Sequence, residues 1–342
     1  MLIIRPTRDS DIDGVLDLAR KAGPGMTSLP PDRETLWKSI QLSQESFAHD
    51  VKRRDDFFLL VMEDTLTERV VGTAGIYCMT GAKQAFYAYR VMSLTHHSHS
   101  LGKQVRGNML HLTNDYTGCS EVGALFVDPD YRGNGGWLGR ARYMLLGLFP
   151  ERFSDCVIAE LRGWKDEFGN NPFWEALGAK FFAMSHDEAD HLCAVSSNQF
   201  ITELMPKYPI YSTLLPENAQ AVIGRPREES RRAMELLENE GFRYENVVDI
   251  FDAGPLMHAP TASIRTIRSM QKLPALEDDS LSLAHPTHIV ARPDWQNFCV
   301  MRTQAVNSDK AIAVPPEVLA TLGVNCGDRL AHTLIAPQEP NQ

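Results

Sequence analysis

The stretch EVGALFVDPDYRGNGGWLGRARY, Glu121 to Tyr143, carries most of what the chain reveals. Val122 to Val127 is an alternating apolar run and reads as a strand. Asp128 and Pro129 end it. Arg132, Gly133, Asn134, Gly135 and Gly136 then form a loop that opens an amphipathic helix. Glycines here remove Cβ atoms, so backbone N–H groups can approach an anion at the helix N-terminus. The helix dipole favours negative charge at the same place. The loop therefore reads as a cradle for a pyrophosphate, or else as an ordinary strand-to-helix turn. It is not a Walker loop, because no Gly-Lys-Ser/Thr follows. Its spacing also differs from the dinucleotide fingerprint.

Composition narrows the remaining classes. At 342 residues the chain has room for two domains, or for one large domain with an appendage. No apolar run reaches the roughly 18–20 residues of a membrane span. The opening MLIIRPTRDSDID turns polar too early for a secretory signal. A net charge of −10 argues against a nucleic-acid partner, which asks for a basic surface. The six cysteines, Cys78, Cys119, Cys156, Cys193, Cys299 and Cys326, contain no CxxC and read as isolated thiols of a cytoplasmic protein. The cluster His96, His97 and His99 lacks carboxylate or thiol partners at zinc spacing, so no metal is expected.

Strands and helices mix throughout, as in an α+β or α/β sheet domain. Residues 1–272 read as the main region, with a core over about 1–185 and a substrate-side extension over 186–272. Residues 273–288 turn polar and acidic and read as a linker. Residues 289–342 read as a small β-rich module.

Val127-Asp128-Pro129-Asp130-Tyr131-Arg132-Gly133-Asn134-Gly135 resembles the cofactor loop of the GNAT acyl-CoA N-acyltransferases. Trp137 departs from that pattern, since a small residue is expected there; Gly139 compensates if the helix begins later. Longer blocks narrow the resemblance. They are GPGMTSLP (Gly23–Pro30), TNDYTGCSEV (Thr113–Val122), AELRG (Ala159–Gly163), NPFWEALG (Asn171–Gly178), ELMPKYPIY (Glu203–Tyr211), EGFRYENVVDIFDAGP (Glu240–Pro255) and IRTIR (Ile264–Arg268). Together they resemble the bacterial arginine N-succinyltransferases over roughly residues 1–275.

The resemblance implies a GNAT-like core with a small C-terminal β-barrel-like module. It implies transfer of a succinyl group from succinyl-CoA, a co-substrate rather than a resident cofactor, to the α-amino group of arginine or ornithine. It places acyl-CoA contact at Leu125, with Phe126, Val127 and the loop from Arg132 to Gly136 beside it, and puts Thr27 and Ser28 on the substrate side. Such a family also includes paired paralogous subunits, so assembly with itself or with a paralogue is implied. Its proton-donor histidine falls, by spacing from Ile223-Gly224 and to Glu240-Gly241-Phe242, on Arg227. An arginine cannot shuttle protons at neutral pH.

The chemistry needs a base for the amine, N–H donors for the thioester oxygen and an acid for the departing thiolate. Glu121, at the start of the strand, and His96 are candidates for proton transfer. Asp115 is another, read equally as a turn cap. Asp249 and Asp252 either cap the loop before Gly254-Pro255 or receive a guanidinium. Glu160 and Arg162 either pair or serve the site. Arg265 and Arg268, one helical turn apart, either grip a carboxylate or phosphate or form a solvated face.

Overall fold

The alternation at Val122–Val127 becomes the strand Ser120–Val127, and the helix after the glycine loop runs Gly135–Leu148. The computed structural model describes residues 1–23, 26–82, 85–186, 188–189, 192 and 199–335. It divides into two compact units. The first comprises Met1–Cys78, Val122–Asp155 and Thr261–Gln342, and the second Met79–Glu121 and Cys156–Pro260.

In the first unit, strand Leu2–Pro6 pairs antiparallel with Phe57–Asp64, which pairs antiparallel with Arg69–Tyr77. The strand from Val122 to Val127 follows Arg69–Tyr77 in the sheet. Phe57 to Met62 are all buried, because successive side chains enter two covered faces. On one face Phe57, Leu59 and Val61 meet Val15 and Leu18 of helix Ile12–Ala22, and Leu36 and Ile40 of helix Arg33–Ala48. The other face receives the long helix: a Cβ on Gly72 would stand 2.9 Å from Leu138 and 3.3 Å from Met62. Each such fully buried aliphatic side chain contributes about 1.5–3 kcal/mol relative to exposure.

The expected C-terminal module is β-rich. Strands Gln271–Glu277, Arg329–Leu334, Thr287–Arg292 and Cys299–Gln304 are successive antiparallel neighbours over a core that includes Val290, Met301, Ile312, Leu319 and Leu330. It is not set apart by a linker. Cys299–Gln304 pairs with the first strand, Ile4 opposite Val300. The stretch expected as a linker, 273–288, begins inside the strand Gln271–Glu277, whose Ala275 is fully buried. Acidic composition misled the reading there, because the strand alternates exposed polar positions with one core position.

In the second unit, Ser120 and Glu121 pair in parallel with Val157 and Ile158 of strand Cys156–Glu160. Strands Pro255–Pro260, Arg243–Val248, Ala88–Ser98, Lys103–Thr113 and Ile210–Tyr211 follow in order, all antiparallel. Tyr89, Phe173, Trp174, Phe182, Val248 and Ile250 form the core. The same parallel pairing overturns the reading of six isolated thiols. It brings together the starts of two strands, and Cys119 and Cys156, 37 residues apart, are joined in a disulfide. Cys78, Cys299 and Cys326 form no disulfide. Cys193 lies outside the described residues.

Among the described residues no helix is long and apolar enough to cross a membrane.

Candidate active site

The strand that leads into the glycine loop is bent at Ala124, whose φ of 48° lies in the left-handed region. A non-glycine residue there costs on the order of 1–3 kcal/mol unless its surroundings hold it. Here both main-chain groups are held. Ala124 N–H donates to Ser28 Oγ at 3.1 Å, and Ala124 C=O accepts from Thr73 Oγ1 at 2.8 Å. Leu125, Phe126 and Val127, all half-buried, continue toward the loop. Asp128 is buried and anchors the strand end by accepting from Lys21 Nζ at 2.8 Å.

A single turn, Pro129–Tyr131, precedes the loop, and Gly133 takes φ 92°, which an L side chain rarely adopts. The helix begins at Gly135. Asn134 stands at the cap position, but its side chain is spent elsewhere. Nδ2 donates to Tyr131 C=O at 2.7 Å, and Oδ1 accepts from Trp137 Nε1 at 3.0 Å. No side chain caps the helix, and its first turn holds no acid. Its opening N–H groups are therefore left for an external anion, and the dipole reinforces the choice. Trp137 is accommodated by burial: its ring turns inward, fixed by Asn134. Gly139 plays no compensating part, since the helix has already begun and this glycine lies against Leu125 in the second turn. Arg132 is exposed and has no ion-pair partner among the described residues.

In the second unit four carboxylates gather. Glu121 comes from the start of the bent strand, Glu160 from the end of Cys156–Glu160, and Asp249 and Asp252 from the loop between Arg243–Val248 and Pro255–Pro260. Burial pushes Glu121 up to about 7. Glu160 is pushed well above the usual carboxylate range, first by burial and then by Glu121, Asp249 and Asp252. Glu160 nevertheless keeps an exposed surface. Among the described residues no cation pairs with it, so the pairing with Arg162 does not form. Its acidic neighbours disfavour its ionised form.

Close backbone contact builds the cluster. Asp252 accepts Gly163 N–H at 2.6 Å on one oxygen and Gly254 N–H at 2.7 Å on the other. A Cβ on Gly163 would stand 2.3 Å from Asp252 C=O, which explains glycine at the end of Ala159–Gly163. Asp249 Oδ1 accepts from the N–H groups of Phe251 and Asp252. Loop capping is therefore present for both acids. Opposite the same strand end, Trp164 N–H donates to Arg225 C=O, and Arg227 N–H donates to Arg162 C=O at 2.8 Å.

Comparison with known proteins bears on what this arrangement serves. A family model described as "Arginine N-succinyltransferase beta subunit" matches residues 2–266. The arginine N-succinyltransferase of Citrobacter koseri is 37% identical over 341 residues, 99% of each chain. The chain belongs to the arginine N-succinyltransferase family. The Enterobacter sp. enzyme of that name is 38% identical over the same share of both chains. Among solved structures, arginine/ornithine succinyltransferase subunit AI of Pseudomonas aeruginosa superposes with a TM-score of 0.88 at 31% identity, covering 98% of this chain and 99% of that one. The fold is α+β and GNAT-like.

Against this arginine N-succinyltransferase frame the expected residues separate. Leu125 to Val127 and Arg132 to Gly136 share one strand–loop–helix, and Ser28 meets its strand at Ala124; Thr27 is exposed beside Ser28. Glu121, Asp249 and Asp252 come together, with Glu160, which the sequence offered either as one half of a pair or as a site residue. Arg227 reaches the same strand end through its main chain, but its guanidinium lies 3.4 Å from Glu229. His96 is elsewhere. It is exposed near the tip of the hairpin Ala88–Ser98/Lys103–Thr113, opposite Val105. Seven residues separate it from Tyr89, which pairs with Val248 next to Asp249. At about 3.3 Å per residue that is roughly 23 Å. Arg265 and Arg268 are exposed on the short helix Arg265–Ser269. That helix packs on the middle and C-terminal part of the long helix, through Thr266 to Arg140 and Ile267 near Gly147, rather than at its N-terminus.

Proposed function

We propose that the chain transfers a succinyl group from succinyl-CoA to the α-amino group of arginine or ornithine. The observation that carries this is the bent strand followed by an uncapped helix N-terminus, in a chain that matches arginine N-succinyltransferases along its length.

The amides of Gly133 to Gly136 hold the pyrophosphate of CoA, with Arg132 at the rim. The thioester end lies along Ala124–Val127, with its carbonyl oxygen turned to a main-chain N–H near Leu125. Negative charge developing on that oxygen is stabilised by a donor already in place. The amine substrate carries two cationic groups and one carboxylate, and the four acids face its cationic groups with the opposite charge. A base near pH 7 takes the ammonium proton, and Glu121 has the fitting pKa. The neutral amine attacks the thioester carbon, the C–S bond breaks, and the nitrogen gives up its second proton, which replaces the one that Glu160 passes to the thiolate. The thiolate is a good leaving group, since its thiol pKa is only about 8.5. Glu160, pushed up first by burial and then by its acidic neighbours, is the acid that can return a proton. Arg227 supplies none.

The position of Arg227 favours a second reading, in which the chain binds acyl-CoA but turns it over slowly and partners an active paralogous subunit. An acyl-CoA panel (acetyl, butyryl, succinyl, glutaryl) against arginine, ornithine and lysine, with thiol release and product mass recorded, separates the two. Rapid one-to-one release of CoA and N-succinylarginine supports the enzyme. Tight succinyl-CoA binding with negligible release supports the subunit.

A further inference from the structure

One buried charge is used by none of these steps. Arg142, on the long helix, is only 3% exposed. Among the described residues no carboxylate pairs with it. Nε donates to Gly139 C=O at 3.2 Å, and one terminal nitrogen donates to Gly123 C=O at 3.2 Å. Among the described residues the other terminal nitrogen makes no hydrogen bond. A cation buried without an anion is costly, and burial lowers its pKa. A structural role in holding Gly123 would need only a neutral donor.

The place of this charge is informative. The long helix runs back along the bent strand. Gly135 lies beside Val127, Gly139 beside Leu125, and Arg142 bonds Gly123. From Gly135 to Arg142 the helix rises about 10 Å, and from Val127 to Gly123 the strand spans about 13 Å. A CoA whose pyrophosphate sits at the helix start and whose arm follows the strand therefore delivers its acyl group to the level of Ala124 and Gly123. Arg142 stands there with one terminal nitrogen unbonded among the described residues.

We infer that Arg142 receives the terminal carboxylate of the acyl group and so selects a dicarboxylic acyl-CoA over a neutral one. This rests on the reading that the chain uses succinyl-CoA. A planar guanidinium suits the task, because it can keep Gly123 C=O on one nitrogen and offer another to a carboxylate.

Binding of succinyl-CoA is compared by calorimetry with that of its uncharged terminal amide and of CoA itself. Wild-type protein is expected to bind succinyl-CoA about 10²-fold more tightly than the amide, the scale of a desolvated charge pair. Arg142→Gln keeps a donor for Gly123 and removes the charge; it should bring the two acyl-CoAs to within about threefold and leave CoA binding unchanged. Equal binding of both acyl-CoAs by the wild type overturns the inference without any variant. So does Arg142→Gln weakening both acyl-CoAs and CoA alike, which is the mark of a structural residue. Discrimination in binding without transfer to arginine would reject the proposed reaction and keep the carboxylate site. Transfer without discrimination would do the reverse.

Discussion

The glycine loop of the first unit and the carboxylate group of the second differ in the means by which each would meet a charge. At the loop the proposed anion would be received by main-chain N–H groups, with no acid in the first helical turn and no capping side chain. At the carboxylates the proposed cation would be received by side chains, where burial lifts Glu121 to about 7 and pushes Glu160 well above the usual carboxylate range. The first device depends on backbone conformation, as at Gly133, and costs little in its empty state. The second holds like charges together and is uncomfortable until a cation arrives. One region is built to be specific without strain; the other stores electrostatic strain that proton transfer can use.

The largest expected effect is on the second region. Glu121→Gln removes the base and should lower kcat by about 10²–10⁴-fold, leaving the Kd for CoA unchanged. In the wild type the rate should rise with pH through about 7, as Glu121 loses its proton, and this limb should vanish in the variant. Stability should move the other way. The folded pKa of Glu121 lies above its ordinary value, so the fold favours the protonated form. That contribution is complete below the ordinary carboxylate range and is lost as pH rises through about 7. Glu121→Gln should therefore gain in Tm over the wild type as pH goes from 5 to 8. A variant that loses activity and stability together would make Glu121 a structural residue.

Next comes Arg227→His. Restoring a titratable group beside Arg162 should raise kcat for arginine about tenfold, below the full range of a general acid because the surroundings have adapted to a cation. A fall in kcat would show that another residue already protonates the thiolate. Asp252→Asn should show the smallest effect on catalysis and a clear one on stability. Both its oxygens accept backbone N–H groups, so the amide leaves one donor facing another. A loss of about 5 °C in Tm is expected, with a modest change in KM for arginine. A large KM change at constant Tm would instead return Asp252 to guanidinium recognition.

The two regions also differ in how legible they were. The loop is local: strand, turn, glycines and helix occupy 23 consecutive residues, and the pattern can be read without knowing what lies across the sheet. Only Trp137 misled, since its inward turn depends on Asn134 and on a core not visible from its neighbours. The carboxylate group is assembled from residues 121, 160, 249 and 252, and no spacing rule links them. Its members were found singly, through recognisable blocks, and Glu160 was given a cation it does not have. The disulfide was hidden for the same reason, because Cys119 and Cys156 meet through a parallel pairing rather than a motif. His96 shows the converse error: a residue of suitable chemistry, placed by topology on an exposed hairpin. The C-terminal strands read correctly as β-rich, but their joining to the first strand is a long-range pairing that composition does not encode.

The division of labour between loop and carboxylates is tested most directly by measuring CoA affinity and turnover together in Gly135→Val and Glu121→Gln. A Cβ on Gly135 has room in the fold, its nearest neighbour being Val127 Cγ2 at 4.0 Å, so the valine obstructs a ligand rather than the core. Gly135→Val should weaken CoA binding about tenfold or more, yet keep the pH limb near 7 at saturating succinyl-CoA. Glu121→Gln should bind CoA as the wild type does and lose both turnover and limb. Unchanged CoA affinity in a folded Gly135→Val protein, or a Glu121→Gln protein that still transfers succinyl groups at the wild-type rate, would contradict the account.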